Sequence, residues 1–114
     1  MRVRLAELAH ARSGDKGDRA DIGLFAWDAA GYAILRREVT VERLAAHFAW
    51  VASGPVHLYA LDNILALKIV LDGALQGGAA RSLRSDNLGK TLGAALLRME
   101  VDLLPGEAAA LRPA

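Results

Sequence analysis

Four segments of the chain carry the apolar pattern of β-strands. Residues that alternate between polar and apolar side chains, such as Arg2, Val3 and Arg4, expose one face of a strand and bury the other. The segment DIGLFAW is apolar on both faces, which is typical of a strand covered on both sides. RMEVDL alternates and is followed by Pro105, as expected of an edge strand. The patterns therefore predict strands over residues 2–9, 21–27, 56–61 and 98–103.

Helical spacing appears after Thr40. Apolar residues recur at intervals of three and four over residues 40–51, and Thr40 is the predicted N-cap. Upstream, residues 27–32 allow two interpretations, which are a hairpin turn and a helix that is capped by Asp28 and runs through Arg37.

Residues 62–76 fit two patterns at once. Leucine or isoleucine occupies every second position from 65 to 71, which is typical of a strand. An Asp-Asn pair at the start, a Gln-Gly-Gly stop and the length favour a helix. We predict a mostly buried helix whose polar stripe is Lys68 and Asp72.

The last predicted helix begins at Ser85 or Asp86, after a loop over residues 77–84. Gly89 and Gly93 lie one turn apart in it and would allow another backbone to approach closely, at a cost in helix propensity. Its predicted core positions are Leu88, Leu92, Ala95, Leu96 and Met99.

Strands that alternate with helices predict an α+β fold. We expect a two-layer sandwich with a mixed or antiparallel sheet of three to four strands and helices on one face. One domain over residues 1–104 and a flexible tail over residues 105–114 account for the chain. The large apolar surface predicts a homo-oligomer that forms through the sheet or its edge.

Composition narrows the class of protein. Hydrophobic residues make up 54% of the 114 residues, and the net charge of +1 offers no surface for a nucleic acid. The absence of Cys excludes disulfides and thiolate chemistry. No secretory signal and no membrane-spanning run are visible, so we expect a cytoplasmic protein without nucleic-acid or membrane partners.

The densest charge lies in HARSGDKGDRADIG, residues 10–23, within which we predict a loop over residues 10–21 between two strands. Glycines allow successive backbone N–H groups to converge on an anion. Arg12 and Lys16 would then add positive charge to a phosphate or carboxylate site. The pattern matches neither a Walker loop nor GxGxxG.

Three carboxylates at Asp15, Asp18 and Asp21 raise the question of a hard cation. The spacing differs from an EF-hand and the interleaved cations reduce the attraction, so we predict no metal site and no cofactor. His10, His47 and His57 come from separate elements without ligand spacing.

Catalytic and structural interpretations of the same segment stay open. His10 or Asp15 could act as a general base, and Ser13 could be a nucleophile if a base reached it. The plainer alternative is a solvated loop whose charges pair with each other. The sequence does not decide whether the protein is an enzyme.

A second polar cluster, RSLRSDNLGK, covers residues 81–90. Arg84 and Lys90 lie near the start of the predicted helix, where an anion is favoured, and Asp86 could cap that helix. Arg84 either forms a structural bridge with Asp15 or Asp18, or lines the opposite wall of one cleft.

The segments HARSGDKGDRADIG, LDNILALKIVLDGALQGG and RSLRSDNLGK resemble the small domain of AtuA-type acyclic terpene utilisation proteins, which also occurs as a free-standing chain. The resemblance runs from about Leu8 to Met99. One departure is Lys68, where the family more often has Asn.

This resemblance implies a ferredoxin-like fold and a setting in the breakdown of acyclic terpenes or other branched acids as CoA thioesters. Because no nucleophile–base pair is visible in the sequence, we expect an accessory domain that binds an anion such as an acyl-CoA, or a partner such as a larger AtuA-type or acyl-CoA enzyme subunit. The alternatives are a small hydratase or hydrolase acting on a CoA thioester and a purely structural oligomer. The ligand-binding residues that it implies are Arg12, Ser13, Gly14, Asp15, Lys16, Gly17, Asp18, Arg84, Asp86, Gly89 and Lys90.

Overall fold

The chain forms a two-layer α+β domain of ferredoxin-like type, as the sequence predicts. Four antiparallel strands form the main sheet and two short strands form a second one. The computed structural model describes residues 1–16, 19–50, 54–73 and 92–110, with the backbone alone at positions 15, 16, 109 and 110.

The main sheet has the order β2-β3-β5-β4, and β1 pairs with β6 in the second sheet. Every pairing between neighbouring strands is antiparallel. The strands are β1 (Arg2–Arg4), β2 (Ala9–Lys16), β3 (Arg19–Ala26), β4 (Val56–Leu61), β5 (Ala66–Leu71) and β6 (Glu100–Asp102).

Two helices begin at side-chain caps that the sequence indicates. In α1 (Ala29–Glu38) the Asp28 carboxylate accepts a hydrogen bond from the Gly31 N–H, so the helical alternative for this segment is correct. In α2 (Val41–His47) the Thr40 hydroxyl accepts from the Arg43 N–H.

A third helix, α3, is described over residues 92–97. It lies against β2, because a Cβ at Gly93 would be only 3.0 Å from the Ser13 Oγ. The close approach that the glycine pattern predicts is therefore present at Gly93, while Gly89 lies outside the described residues.

The prediction of a helix over residues 62–76 is wrong. Asp62–Ile64 form one 3₁₀ turn, Leu65 takes a left-handed conformation with φ of 56°, and β5 follows. β5 is an inner strand with neighbours on both edges, so its two faces are apolar except at Lys68. The alternation of apolar residues was the correct signal.

The charged segment is not a loop from residue 10 to 21. It is a β-hairpin in which β2 and β3 pair from Ala9↔Ala26 to Lys16↔Arg19. His10 belongs to the second strand, because the predicted strand over residues 2–9 is interrupted by a 3₁₀ turn at Leu5–Glu7. Gly17 and Asp18 lie outside the described residues.

The helices cover one face of the main sheet and enclose the core there. Alternate residues of β3 and β5 that face this side are almost fully buried. The largest fully buried side chains are Phe48, Leu5, Leu8, Ile22, Leu24, Ile34, Leu35, Leu44, Leu67, Ile69 and Leu71.

The second sheet joins residues that are far apart in the chain. Val3 pairs with Val101, and β6 lies within the strand predicted over residues 98–103. Beyond it, residues 107–110 form a 3₁₀ turn, in which Glu107 accepts two hydrogen bonds from the Arg37 guanidinium at 2.8 and 2.9 Å.

Candidate functional site

The strand register arranges the outer face of the main sheet, which is the face away from the described helices, into three rows. Residues in register across antiparallel strands share a face. Each row crosses the sheet from β2 to β4. The apolar row is His10, Phe25, Ala66 and Leu61, the cationic row is Arg12, Gly23, Lys68 and Tyr59, and the mixed row is Gly14, Asp21, Val70 and His57.

The cationic row places two positive charges around a glycine. Arg12 and Lys68 are the neighbours of Gly23 on its two sides, and both are exposed. Within the described part of the chain, no carboxylate lies within ion-pair distance of either residue. No described carboxylate therefore competes with an anion for these two charges.

Gly23 makes room for an aromatic ring between these cations. A Cβ built at this position would lie 2.8 Å from the Phe25 Cε1, which is closer than two carbon atoms approach each other. The absence of a side chain therefore lets the Phe25 ring lean over the backbone of β3. Gly23 thus also determines the position of the Phe25 ring, which forms part of the site.

Three rings stand together at the end of the hairpin nearest Ala9. The His10 ring stacks on Phe25 with centroids 5.2 Å apart, and its centroid lies 4.7 Å from that of Trp27. Offset stacking of this kind stabilises ring positions by about 0.5–1.5 kcal/mol. His10 therefore supports the orientation of Phe25.

A shallow cavity of about 350 Å³ lies over the apolar and cationic rows. Phe25, Ala66 and Leu61 give it an apolar wall, and Arg12 and Lys68 give it positive charge. Sites for small ligands commonly combine an apolar lining with a few polar groups that fix orientation. This cavity is the candidate functional site.

The mixed row adds one carboxylate. Asp21 lines the same cavity, and a Cβ at Gly14 would be 3.4 Å from its Oδ1. Next to this row, Asp72 lies 2.9 Å from His57 Nε2 and accepts a hydrogen bond from Arg19 Nε at 2.8 Å. The hydrogen bond to His57 makes the larger contribution and the hydrogen bond to Arg19 the next, and together they lower the pKa of Asp72 below its ordinary value.

The structure separates the candidates that the sequence groups together. Arg12 and Gly14 belong to the outer face, whereas Ser13 points to the helix side, near Gly93. His10 and Ser13 therefore lie on opposite faces of β2 and cannot form a nucleophile–base pair. Outside the described side chains lie Asp15, Lys16, Gly17, Asp18, Arg84, Asp86, Gly89 and Lys90.

The other histidines have structural neighbours. His47 Nε2 lies 2.8 Å from the Ala95 carbonyl oxygen, so its N–H donates to the backbone of α3. His57 lies in β4 beside Asp72. Across the described residues, no group of three or more His, Cys, Asp or Glu side chains is placed to hold a metal ion.

Sequence reasoning missed Lys68, Gly23, Phe25 and Leu61 as site residues. Lys68 was assigned to a helix, so its position beside Gly23 could not be inferred. The usable signal was the strand alternation of residues 65–71, which places Lys68 on the face opposite Leu67 and Ile69.

The fold and the cavity together define a two-layer α+β domain with a basic site on the outer face of its sheet. The family model described as the AtuA ferredoxin-like domain matches residues 3–102 of this chain. The chain therefore belongs to the AtuA ferredoxin-like domain family. Neither the search of curated proteins nor that of solved structures finds a match.

Helices of the kind that cross a bilayer are also absent from the described residues, where none combines sufficient length with an apolar composition. The longest helix within the described residues, α1, has ten residues. A membrane-spanning helix needs about 20 residues.

Proposed function

We propose that this chain is a non-catalytic accessory domain that binds an anionic ligand on the outer face of its sheet. The observation that carries the proposal is the placement of Arg12 and Lys68 on the two sides of Gly23. Two cations without a carboxylate partner among the described residues attract an anion, and the cavity above them offers space for it.

Family membership supports the chemical setting. The resemblance of the sequence to AtuA-type proteins favours a ligand from the catabolism of acyclic terpenes or other branched acids, either a free acid or its CoA thioester. It also favours a larger AtuA-type or acyl-CoA enzyme subunit as the protein partner. The binding residues that we propose are Arg12 and Gly14, as the sequence indicates, together with Lys68.

A hydrolase or hydratase activity receives less support. A serine nucleophile would need a base within hydrogen-bond reach, and His10 lies on the other face of β2 from Ser13. The His10 ring contacts the rings of Phe25 and Trp27, so its role in this proposal is to support the position of Phe25.

Thermal denaturation with isovalerate and isovaleryl-CoA tests the anion site. A ligand present at 100 times its dissociation constant should stabilise the folded chain by about 2.7 kcal/mol. The double variant Arg12→Gln/Lys68→Met should lose this stabilisation. Arg98→Gln, which removes an exposed charge beyond α3, is the matched control and should retain it. A wild-type chain that neither compound stabilises would refute the proposed site for this class of ligand.

We also propose that two copies of the chain associate through β4. This edge strand, VHLYAL, contains no Asp, Glu, Lys or Arg, and Tyr59 and Leu61 are 52% and 38% exposed. An uncharged edge strand presents free backbone groups that pair readily with an identical strand. Sedimentation should show a dimer that Tyr59→Lys converts to a monomer, and a wild-type monomer at high concentration would refute this proposal.

A further inference from the structure

We infer that the ligand of the outer face is a small organic monocarboxylate whose apolar group lies on the apolar row. This inference rests on the proposed anion site and specifies its ligand. The geometric basis is the register of the two rows, because Phe25 follows Gly23 by two residues on β3 and Ala66 precedes Lys68 by two on β5. Two residues of a strand span about 6.6 Å. A ligand whose carboxylate is held by Arg12 and Lys68 therefore needs only a few more atoms to contact the apolar row, and the Phe25 ring, which leans over Gly23, shortens this reach further.

The charge of the cavity wall selects a monoanion. Among the described residues, the charged side chains that line the cavity are Arg12, Lys68 and Asp21, and their two positive charges and one negative charge sum to +1. A carboxylate neutralises this charge, whereas a phosphate dianion leaves an excess beside Asp21. Like charges held close together disfavour binding.

The apolar row supplies the second half of the recognition. Phe25 and Leu61 stand on the two sides of Ala66, whose short side chain leaves a depression between them. Phe25 is held there by its stack with His10 and by the lack of a side chain at Gly23. A compact aliphatic group or a single ring attached to the carboxylate fits this depression.

A free acid and its thioester differ at the carbonyl end, which is the part of the ligand that Arg12 and Lys68 would contact. The carboxylate can accept hydrogen bonds from Arg12 and Lys68, while the thioester carbonyl carries no charge to place between them. Among the ligands of the proposed class, the site therefore discriminates in favour of the free acid.

Titration of the full ¹⁵N-labelled chain, followed by NMR, tests the inference. The ligands are acetate, butyrate, hexanoate, phenylacetate, inorganic phosphate and hexanoyl-CoA. We expect shifts at the Gly23 and Lys68 amides and an affinity that rises about fourfold per added methylene until the depression is full. Comparing the affinities for phenylacetate and hexanoate identifies whether a ring or a chain fits better. Either result supports a ligand that combines a carboxylate with an apolar group.

Two variants separate the two halves of the site. Lys68→Met should weaken hexanoate and acetate alike by about tenfold, which corresponds to one lost charge-assisted hydrogen bond. Leu61→Ser should weaken hexanoate and leave acetate unchanged. Arg98→Gln should change neither ligand, and the spectrum of each variant reports whether it is folded.

The failures are distinguishable. Equal affinity for acetate and hexanoate, tighter binding of phosphate than of every carboxylate, or tighter binding of hexanoyl-CoA than of hexanoate would overturn the monocarboxylate assignment and leave the anion site standing. The absence of shifts at Gly23 and Lys68 with every ligand would overturn both proposals.

Discussion

His57 and Asp72 connect the edge strand β4 to the turn that follows β5, with His57 Nε2 lying 2.9 Å from Asp72 Oδ2. The second oxygen of the same carboxylate accepts from Arg19 Nε on β3. An ionised carboxylate only accepts hydrogen bonds, so both neighbours donate. One side chain thus holds three strands in register at one end of the sheet.

The depressed pKa of Asp72 gives stability a defined pH dependence. Since the folded state favours the ionised form, the carboxylate contributes fully above its ordinary pKa of 3.8 and loses its contribution as the pH falls through the lower folded value. We expect Asp72→Asn to lower the urea midpoint at pH 7 and to differ less from wild type as the pH falls below 3.8. Glu42→Gln, on the exposed surface of α2, is the control, and an equal deficit of Asp72→Asn at both pH values would contradict this account.

Neighbouring residues of β5 should respond very differently to truncation. Ile69 is fully buried on the helix side, and Lys68 is exposed on the outer face. We expect Ile69→Ala to cost about 2–5 kcal/mol of unfolding free energy, because it leaves a cavity in the core. Lys68→Ala should stay within about 0.5 kcal/mol. Chemical denaturation measures both, and similar losses would show that β5 is not packed with these two faces.

Gly54 packs too tightly for a side chain. A Cβ at this position would lie 2.6 Å from the Asp72 carbonyl oxygen, which accepts a hydrogen bond from the Gly54 N–H. The obstacle is backbone, so Gly54→Ala has to displace the start of β4 from the end of β5. We expect a loss of about 1–3 kcal/mol. A thermal midpoint equal to that of wild type would mean that the backbone around Asp72 can move to accommodate the Cβ without loss of unfolding free energy.

The cap of α1 makes a smaller contribution. The Asp28 carboxylate accepts from the Gly31 N–H at 2.8 Å, which is the side-chain cap at the start of this helix. Asp28→Ala should cost about 1 kcal/mol, whereas Asp28→Asn retains an oxygen acceptor and should cost less. Equal stability of these two variants, measured by denaturant unfolding, would exclude the hydrogen bond as the cause.

The elements that sequence analysis predicted correctly have strong local signals. The Thr40 cap marks the start of α2, whereas Asp28 indicated α1 only as one of two interpretations of residues 27–32. β4 is preceded by the break at Pro55, and β6 follows an alternating pattern. For α2, β4 and β6, residues within or next to each element are sufficient to predict it.

β5 was predicted wrongly because its environment is set by residues far away in the sequence. An inner strand receives partners on both edges, which come from residues 19–26 and 56–61, and its helix-like flanking residues gave no sign of them. Tertiary context overrides local propensity in such strands. The error concealed Lys68, and with it half of the cationic row.

The sequence predicts a loop where the hairpin of β2 and β3 lies, and the reason for this error is different. Arg12, Gly14 and Asp21 are polar or small because they belong to the outer face, not because the backbone lacks regular structure. Charge density pointed to Arg12, which lines the cavity. The register that joins Arg12 to Gly23 and Lys68 depends on pairing, which no single segment reveals.

The second sheet determines when the fold can be completed. The Met1 amino group lies 3.5 Å from the Leu103 carbonyl oxygen, 102 residues along the chain. During synthesis β1 has no strand to pair with until β6 emerges, so the main sheet can assemble before the two-stranded sheet closes. The closeness of these positions also means that a short peptide linking them would allow new ends to be cut elsewhere, and a circularly permuted chain should keep the same architecture.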